Sequence, residues 1–294
     1  MPAKNVIVDG SNLAYRTHHA LKSIPQPLTD SEGNPTGLLF GFLRSLGSLV
    51  GRLEATSVYV VWDGSKGYRV GRYPQYKANR NSDNIFSDGQ MGRVKQILPS
   101  LGVWQAYNPD EEADDVIASL VRGQLKGQQN VIVSTDRDFL QLVTFTDCVL
   151  IPKVGSKDEI VYDPDRVLAE YGVSPDKMVQ LRALLGDSSD NLPGVPRVPE
   201  KALKGLLRTH STVEGIYASN LAGLSASQYD KVKASKEQVL LNLELMALRQ
   251  VQVSLTDSSP NPDVAKSMLS AWGIQSPLVD PFFRPLPKGF EKRS

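Results

Sequence analysis

The chain has 294 residues, 33 of them basic and 32 acidic, enough for one large domain or two modest ones and too balanced for net charge alone to name a partner. No apolar run approaches the ~20 residues of a membrane span, and a lone cysteine, Cys148, excludes an intramolecular disulfide. A first strand entered by residue 6 leaves no room for a signal peptide, so the expectation is a reducing, cytoplasmic setting in a bacterium or a phage host, with no membrane partner. Three scattered histidines, His18, His19 and His210, do not suggest zinc.

In chain order, strands are expected near 5–9, 58–63, 103–106, 130–135 and 148–152, with helices near 37–54, 89–100, 112–126 and 137–144. This alternation predicts an α/β fold with a mostly parallel sheet flanked by helices. Gly155-Ser156-Lys157-Asp158 reads as a hairpin turn returning through Glu159-Ile160-Val161-Tyr162. After Asp163-Pro164 the chain reads as helices near 164–171, 175–186, 199–208, 212–218 and 227–253, the last with Val239, Leu240, Leu243, Met246 and Leu248 along it. Thr256 to Pro262 reads as a linker, followed by a short helix near 263–272 and a proline-rich tail. The expected organisation is therefore an α/β domain over 1–165, a helical region over 166–255, and linker, helix and tail over 256–294.

Carboxylates mark the places where apolar stretches end: Asp9 after Val6-Ile7-Val8, Asp63 after Val58 to Trp62, and Asp136 and Asp138 after Val131 to Thr135. Glu112, Asp114, Asp115, Asp187 and Asp190 complete a set of nine. In an open α/β sheet the strand carboxyl ends form one rim where ligands bind. Carboxylates crowded there repel one another unless a cation holds them, and hard divalent metal suits oxygen ligands. The reading is a metal-dependent phosphoester enzyme. Between 66 and 80 lie five basic residues, Lys66, Arg69, Arg72, Lys77 and Arg80, with Tyr68, Tyr73 and Tyr76 interleaved and no acidic residue. Cations with aromatics suit a single nucleic-acid strand, phosphates on Lys and Arg and bases on rings.

The motifs Val8-Asp9-Gly10-Ser11-Asn12, Trp62-Asp63-Gly64, Tyr76-Lys77-Ala78-Asn79-Arg80, Glu112-Ala113-Asp114-Asp115, Ser134-Thr135-Asp136-Arg137-Asp138 and Gly186-Asp187-Ser188-Ser189-Asp190-Asn191 occur in this order. Together they resemble the 5′-nuclease family, which includes the 5′-to-3′ exonuclease domain of bacterial DNA polymerase I, phage 5′-exonucleases and flap endonucleases. The resemblance covers roughly residues 5 to 250 and implies a PIN-like catalytic fold followed by a helix–hairpin–helix. It implies that Asp9, Asp63, Glu112, Asp114 and Asp115 surround a first Mg²⁺, and Asp136, Asp138, Asp187 and Asp190 a second, with Mn²⁺ able to substitute. The chemistry implied is two-metal hydrolysis of DNA phosphodiesters to 5′-phosphate products, at a 5′ flap, 5′ end or nick. Asp9 and Asp136 carry the catalytic metals in this reading, Lys77 and Arg80 meet the scissile phosphate, Tyr76 stacks on a terminal base, and Arg16 offers a further phosphate contact. The segment 64–92 is then a basic arch.

Duplex binding is expected at Gly194, Val195, Arg197, Val198 and Lys201, where the resemblance implies hairpin and helix-start N–H groups on a phosphate, together with a K⁺ site at the hairpin carbonyls. The chain departs from the family in having Arg197 and Pro199 where glycine is usual; proline removes one N–H donor, while Arg197 adds a cation. The tail Gln275 to Phe283 is faintly similar to peptides that dock on sliding clamps, against a simpler reading in which Phe282 and Phe283 pack within the chain. A monomer is expected. Three rivals fare less well. A haloacid-dehalogenase-like phosphatase needs an aspartate where Ser11 stands, a PIN-type ribonuclease normally lacks the helical hairpin, and a non-catalytic DNA-binding module should have lost ligands.

Overall fold

Val6, Ile7 and Val8 are all but inaccessible, as β-branched residues covered on both sheet faces should be. They form the centre of the sheet in this computed structural model, which describes residues 4–22, 28–80, 89–152, 159–221 and 223–283. The first half runs β1 (Lys4–Asp9), α1 (Gly10–Leu21), α2 (Gly37–Leu53), β2 (Ser57–Trp62), α3 (Gly67–Arg72), α4 (Gln90–Ile97), β3 (Val103–Tyr107), α5 (Ala113–Arg122), β4 (Gln129–Val133), β5 (Asp147–Pro152) and β6 (Glu159–Tyr162). Then come α6 (Pro164–Tyr171), α7 (Met178–Leu185), the short pair β7 (Gly186–Asp187) and β8 (Leu192–Pro193), α8 (Glu200–His210), α9 (Val213–Ala218), α10 (Ala226–Ala234) and α11 (Lys236–Met246). The chain closes with β9 (Ser254–Leu255), α12 (Pro262–Ala271) and a 3-10 turn over Ser276–Phe282.

The seven-stranded sheet has the order β6-β5-β4-β1-β2-β3-β9, and only the β5–β6 and β3–β9 pairs are antiparallel. After β3 the chain crosses to the far side of β1, so strand order reverses between β1 and β4, the switch point at which α/β sheets bind ligands. Registers Val8↔Val60 and Val8↔Val133 bring the carboxyl ends of β1, β2 and β4 level. One face buries Val6, Val8, Phe42, Leu46, Val94 and Ile97 under α1, α2, α4 and α12. The other buries Ile7, Ile132, Val116 and Ile117, and runs on into the helical region through Met178, Leu181, Leu207 and Val239.

Several expectations need correction. Helix α1 is not among the expected elements; Asp9 starts it by accepting the Asn12 N–H at 2.9 Å. Arg137–Leu142 is a 3-10 helix. The long helix expected over 227–253 breaks at Ser235 and ends at Met246. From there Leu248, Arg249 and Val251 donate their N–H groups to Gln141, Asp115 and Ser119, so side-chain acceptors on neighbouring elements replace helical carbonyls. Part of the basic segment is helical (α3), and the turn expected at 155–158 lies outside the described residues. Phe282 and Phe283 pack against the α2 side of the core. Among the described residues no helix is long and apolar enough to cross a membrane.

Candidate active site

The rim is assembled by backbone continuity. Asp9 ends the central strand, Asp63 follows β2 on one side, and Asp136 follows β4 on the other. Small polar residues tie these ends together. Ser134 Oγ donates to Asp9 Oδ2 at 2.9 Å, Asn12 Nδ2 to Thr135 Oγ1 at 2.7 Å, and the Asp63 N–H to Ser11 Oγ at 3.2 Å. Asp63 Oδ1 takes the Ala113 N–H at 2.8 Å, which docks the start of α5 on the rim. Gly64 is required here: a Cβ would lie 2.0 Å from the Asn108 carbonyl oxygen.

Asp9, Asp63, Asp114 and Asp136 lie within each other's fields. Burial first, then the charges of Asp63 and Asp136, lift Asp9 to about 7, although Asn12 and Ser134 hydrogen-bond its charged form. Burial and the charges of Asp136, Asp9 and Asp63 likewise raise Asp114 well above the carboxylate range, opposed by Lys77. Asp138, next along the rim, is lifted to about 7 by burial and Asp136, against the pull of Arg182. Like charges held this way suit a divalent cation. Among the described residues no group of three His, Cys, Asp or Glu side chains forms a protein cage for a metal.

Glu112 and Asp115 differ from their neighbours. Adjacent helical residues point about 100° apart, so Asp114 faces the rim while Asp115, fully buried, faces Arg69. Both Asp115 oxygens are engaged: Arg69 Nη1 and Nη2 donate at 2.8 and 3.0 Å, and the Arg249 N–H at 2.8 Å. Glu112 receives Lys77 Nζ at 2.6 Å, Arg69 Nη1 at 2.8 Å and the Tyr76 hydroxyl at 3.3 Å. Burial raises the Glu112 carboxyl, but Lys77 and Arg69 outweigh it and leave it below the usual range. Of the nine carboxylates, Glu112 and Asp115 are thus the two that share the buried Arg69, and Glu112 also holds Lys77.

The basic segment is not a uniform cation face. Arg69 is buried, Arg72 pairs with Glu244, and Tyr76 is buried beside Leu192, Leu245 and Met246 rather than presented for stacking. A phenol beside Leu and Met recovers more apolar contact than one in water, and its hydroxyl still finds Glu112. Lys77 points inward between Glu112 and Asp190, with Nζ 3.8 Å from Asp190. Its backbone sits at φ 54°, the left-handed region that costs a non-glycine residue, held by its N–H on the Asp190 carbonyl at 3.0 Å. Arg80, half exposed, pairs with Asp190 through Nη2. Arg16 is half-buried on α1 with its pKa lowered by burial, and forms no ion pair among the described residues.

Asp187 ends β7 and Asp190 closes the 3-10 turn that follows it. Burial raises Asp187, but Ser189 and Arg182 bring it below its ordinary value. Arg182 pairs with both Asp138 and Asp187. Arg182 went unread in the sequence; a lone cation in the apolar run Leu181 to Leu185, five residues before Asp187, was the signal for it. In the hairpin, Gly194 is explained by close approach, since a Cβ would lie 2.1 Å from the Leu185 carbonyl oxygen. The Val195 N–H is spent on the Leu184 carbonyl at 2.8 Å, and the side chains of Val195 and Val198 are both buried. Arg197 is exposed at φ 56°, which explains why glycine suits this position. Pro199 caps α8 without a side-chain hydrogen bond, and Lys201 is exposed in its first turn.

A switch-point rim of acidic residues, lined with buried cations and followed by a helical hairpin, defines a nucleic-acid-processing fold. The model of the 5′-3′ exonuclease N-terminal resolvase-like domain matches residues 4–172, and that of the 5′-3′ exonuclease C-terminal SAM fold matches 173–262. The chain belongs to the 5′-3′ exonuclease family. It is 33% identical over 254 residues to DNA polymerase I of Mycobacterium bovis, matching 85% of this chain and 28% of the relative. It is 35% identical over 250 residues to the thermostable DNA polymerase I of Thermus filiformis, matching 84% and 29%. The chain thus spans under a third of the length of these relatives. The bacteriophage T5 D15 protein co-crystallized with metal ions shares the fold at TM-score 0.64 and 22% identity, covering 95% of this chain and 96% of that one. The catalytic core of Rad2 in complex with DNA substrate does so at 0.64 and 18%, covering 97% and 93%.

Proposed function

We propose that this chain is a divalent-metal-dependent 5′-to-3′ exonuclease and flap endonuclease that hydrolyses DNA phosphodiesters to 5′-phosphate products. The observation that carries this reading is the meeting of Asp9, Asp63 and Asp136 at level strand ends with Asp114 from the first turn of α5, where the others' charges raise Asp9 and Asp114 and Lys77 lies beside Asp114. Asp9, Asp63, Asp114 and Asp136 are assigned to the first Mg²⁺, with Glu112 acting on that site through Lys77. Asp136, Asp138, Asp187 and Asp190 are assigned to the second. Mn²⁺ takes the same oxygen donors. When bound, the metals supply an activated water and charge stabilisation of the leaving 3′ oxygen.

The chain's own residues bind and orient. Lys77, desolvated between carboxylates, is kept protonated: burial lowers its pKa, but Glu112, Asp190 and Asp114 outweigh that and raise it. It is therefore a permanent cation for the phosphate. Arg80 and Arg16, nearer the surface, neutralise flanking phosphates of a single strand. Tyr76 is assigned to the wall behind Lys77 instead of to base stacking. Duplex DNA is assigned to the hairpin and the start of α8, where Arg197 and Lys201 add cations to helix-start N–H groups, with K⁺ at the hairpin carbonyls. The domain division at about 165, monomeric state and cytoplasmic setting belong to the same reading.

Cleavage of a 5′-labelled flap duplex, beside blunt duplex and single strand, tests it. Cutting near the flap junction with Mg²⁺ and none in EDTA is expected. Metal-independent cutting, or binding without cutting in both Mg²⁺ and Mn²⁺, would contradict it.

A further inference from the structure

The segment 66–73 is mostly exposed, yet Arg69 within it is only 4% accessible. Its guanidinium uses four of its N–H groups at once. Nη1 donates to Glu112 Oε2 and Asp115 Oδ2, both at 2.8 Å, Nη2 to Asp115 Oδ1 at 3.0 Å, and Nε to the Leu245 carbonyl at 2.8 Å. The Asp115 fork fixes the plane of the guanidinium, and the Arg249 N–H fixes Asp115 in turn. Glu112 is shared: one oxygen takes Arg69 and the other takes Lys77 Nζ at 2.6 Å. We propose that Arg69 is a positioning residue for cleavage: by holding Glu112 it sets where the Lys77 ammonium stands, without touching the substrate.

The assignment of Lys77 to the reacting phosphate is taken from the reading above; the link from Arg69 to Lys77 is new. Two features make the link specific. The Lys77 backbone is already fixed at φ 54° by its bond to the Asp190 carbonyl, so its side chain alone decides where Nζ goes. That side chain has four rotatable bonds, and Glu112 is its short-range partner, with Asp190 farther off at 3.8 Å. Arg69 is the cation that Glu112 and Asp115 share, so removing the guanidinium leaves Glu112 with Lys77 alone and Asp115 with the Arg249 guanidinium at 3.9 Å. Lysine at 69 would keep the charge but could not bridge two carboxylates and a carbonyl in one plane. The helix carrying Arg69 is pinned from outside by Tyr68 and Arg72 on Glu244, so its place in the fold does not depend on Arg69 alone.

The test is a double-mutant cycle on full-length protein, read as single-turnover cleavage of the flap duplex at saturating DNA and Mg²⁺. Arg69→Lys should slow cleavage about tenfold or more while flap affinity in Ca²⁺ stays within about twofold, because misplacement costs rate rather than binding. In a Lys77→Ala background the same change should cost less than about threefold, since nothing remains to be positioned. Equal losses in both backgrounds would show general loosening and overturn the inference. Metal-free protein gives an independent readout: the slowly exchanging Lys77 ammonium signal in ¹⁵N NMR should be present in wild type and lost in Arg69→Lys, and its persistence would also overturn the link. If Arg69→Lys does not fold, Asp115→Asn, which weakens the fork with the same shape, takes its place in the cycle. A wild type that cuts no flap contradicts the nuclease reading; a cutting wild type with an additive cycle contradicts only the role of Arg69.

Discussion

The carboxylate rim and the basic stretch beside it were built by different rules. On the rim, Asp9, Asp63 and Asp136 stand where strands stop, so they are placed by chain direction alone, and their neighbours Ser11, Asn12 and Ser134 only brace them. In the stretch 66–80, side chains of the same type go opposite ways. Arg69 and Lys77 are buried against carboxylates, while Arg80 stays half exposed and Arg72 pairs on the surface. Strand ends assign function by position; a loop assigns it by what happens to pack against it. The rim therefore carries carboxylate repulsion that a bound divalent cation would relieve, and the stretch carries cations already neutralised by the protein.

That difference can be probed by substitution. Asp136→Ala should lower single-turnover cleavage by about 1,000-fold or more while leaving much of the flap affinity, because charge stabilisation at the reacting phosphate is lost; parallel loss of rate and affinity would make Asp136 a binding residue. Lys77→Ala should cost about 100-fold in the same assay with Glu112 still held by Arg69, and an unchanged rate would remove Lys77 from the site. For stability the two neighbours on α5 should part company. Asp115→Ala leaves the buried Arg69 with Glu112 as its one carboxylate partner and should destabilise by about 3 kcal/mol in urea unfolding. Asp114→Ala should leave metal-free stability unchanged or raise it by relieving repulsion, and equal losses for the pair would erase the distinction.

Smaller effects follow from protonation and backbone strain. In metal-free protein Asp9 and Asp138 are raised from 3.8 to about 7, so the folded state holds protons that the unfolded chain has released. Their contribution is fully present below 3.8 and is lost as pH rises through about 7. Added Mg²⁺ should accordingly raise Tm more at pH 8 than at pH 5, because bound metal replaces those protons; a larger Tm increase at pH 5 would run against this. Arg197→Gly should stabilise by about 1 kcal/mol, since φ 56° suits glycine, while the salt slope of duplex binding falls by about one phosphate contact. An unchanged slope would place Arg197 off the DNA.

How far these features could be read from the sequence follows the same division. Strands β1 to β6, α2, α5 and the strand-end aspartates were legible because apolar periodicity and chain direction are local properties, whereas the two-residue strands β7, β8 and β9 are too short to show a period. The end of the last long helix at Met246 was not, because residues 248–251 bond instead to Gln141, Asp115 and Ser119, partners more than 100 positions away. Asp115 looked like its neighbour Asp114 for the same reason: only the tertiary position of Arg69 separates them. Tyr76 was read as a stacking surface from its basic neighbours, yet Leu192, Leu245 and Met246 enclose it. Arg197 was recognised as a departure, but the backbone angle that makes glycine the natural residue became visible only in the fold.

The central division, metal carboxylates on the rim against an anchoring carboxylate behind them, is tested most directly by counting Mn²⁺ bound to the wild type, Asp136→Ala and Asp115→Asn by electron paramagnetic resonance. The expected result is loss of Mn²⁺ binding in Asp136→Ala and a wild-type count in folded Asp115→Asn. Mn²⁺ lost equally from both, or retained in Asp136→Ala, would contradict the assignment of the rim.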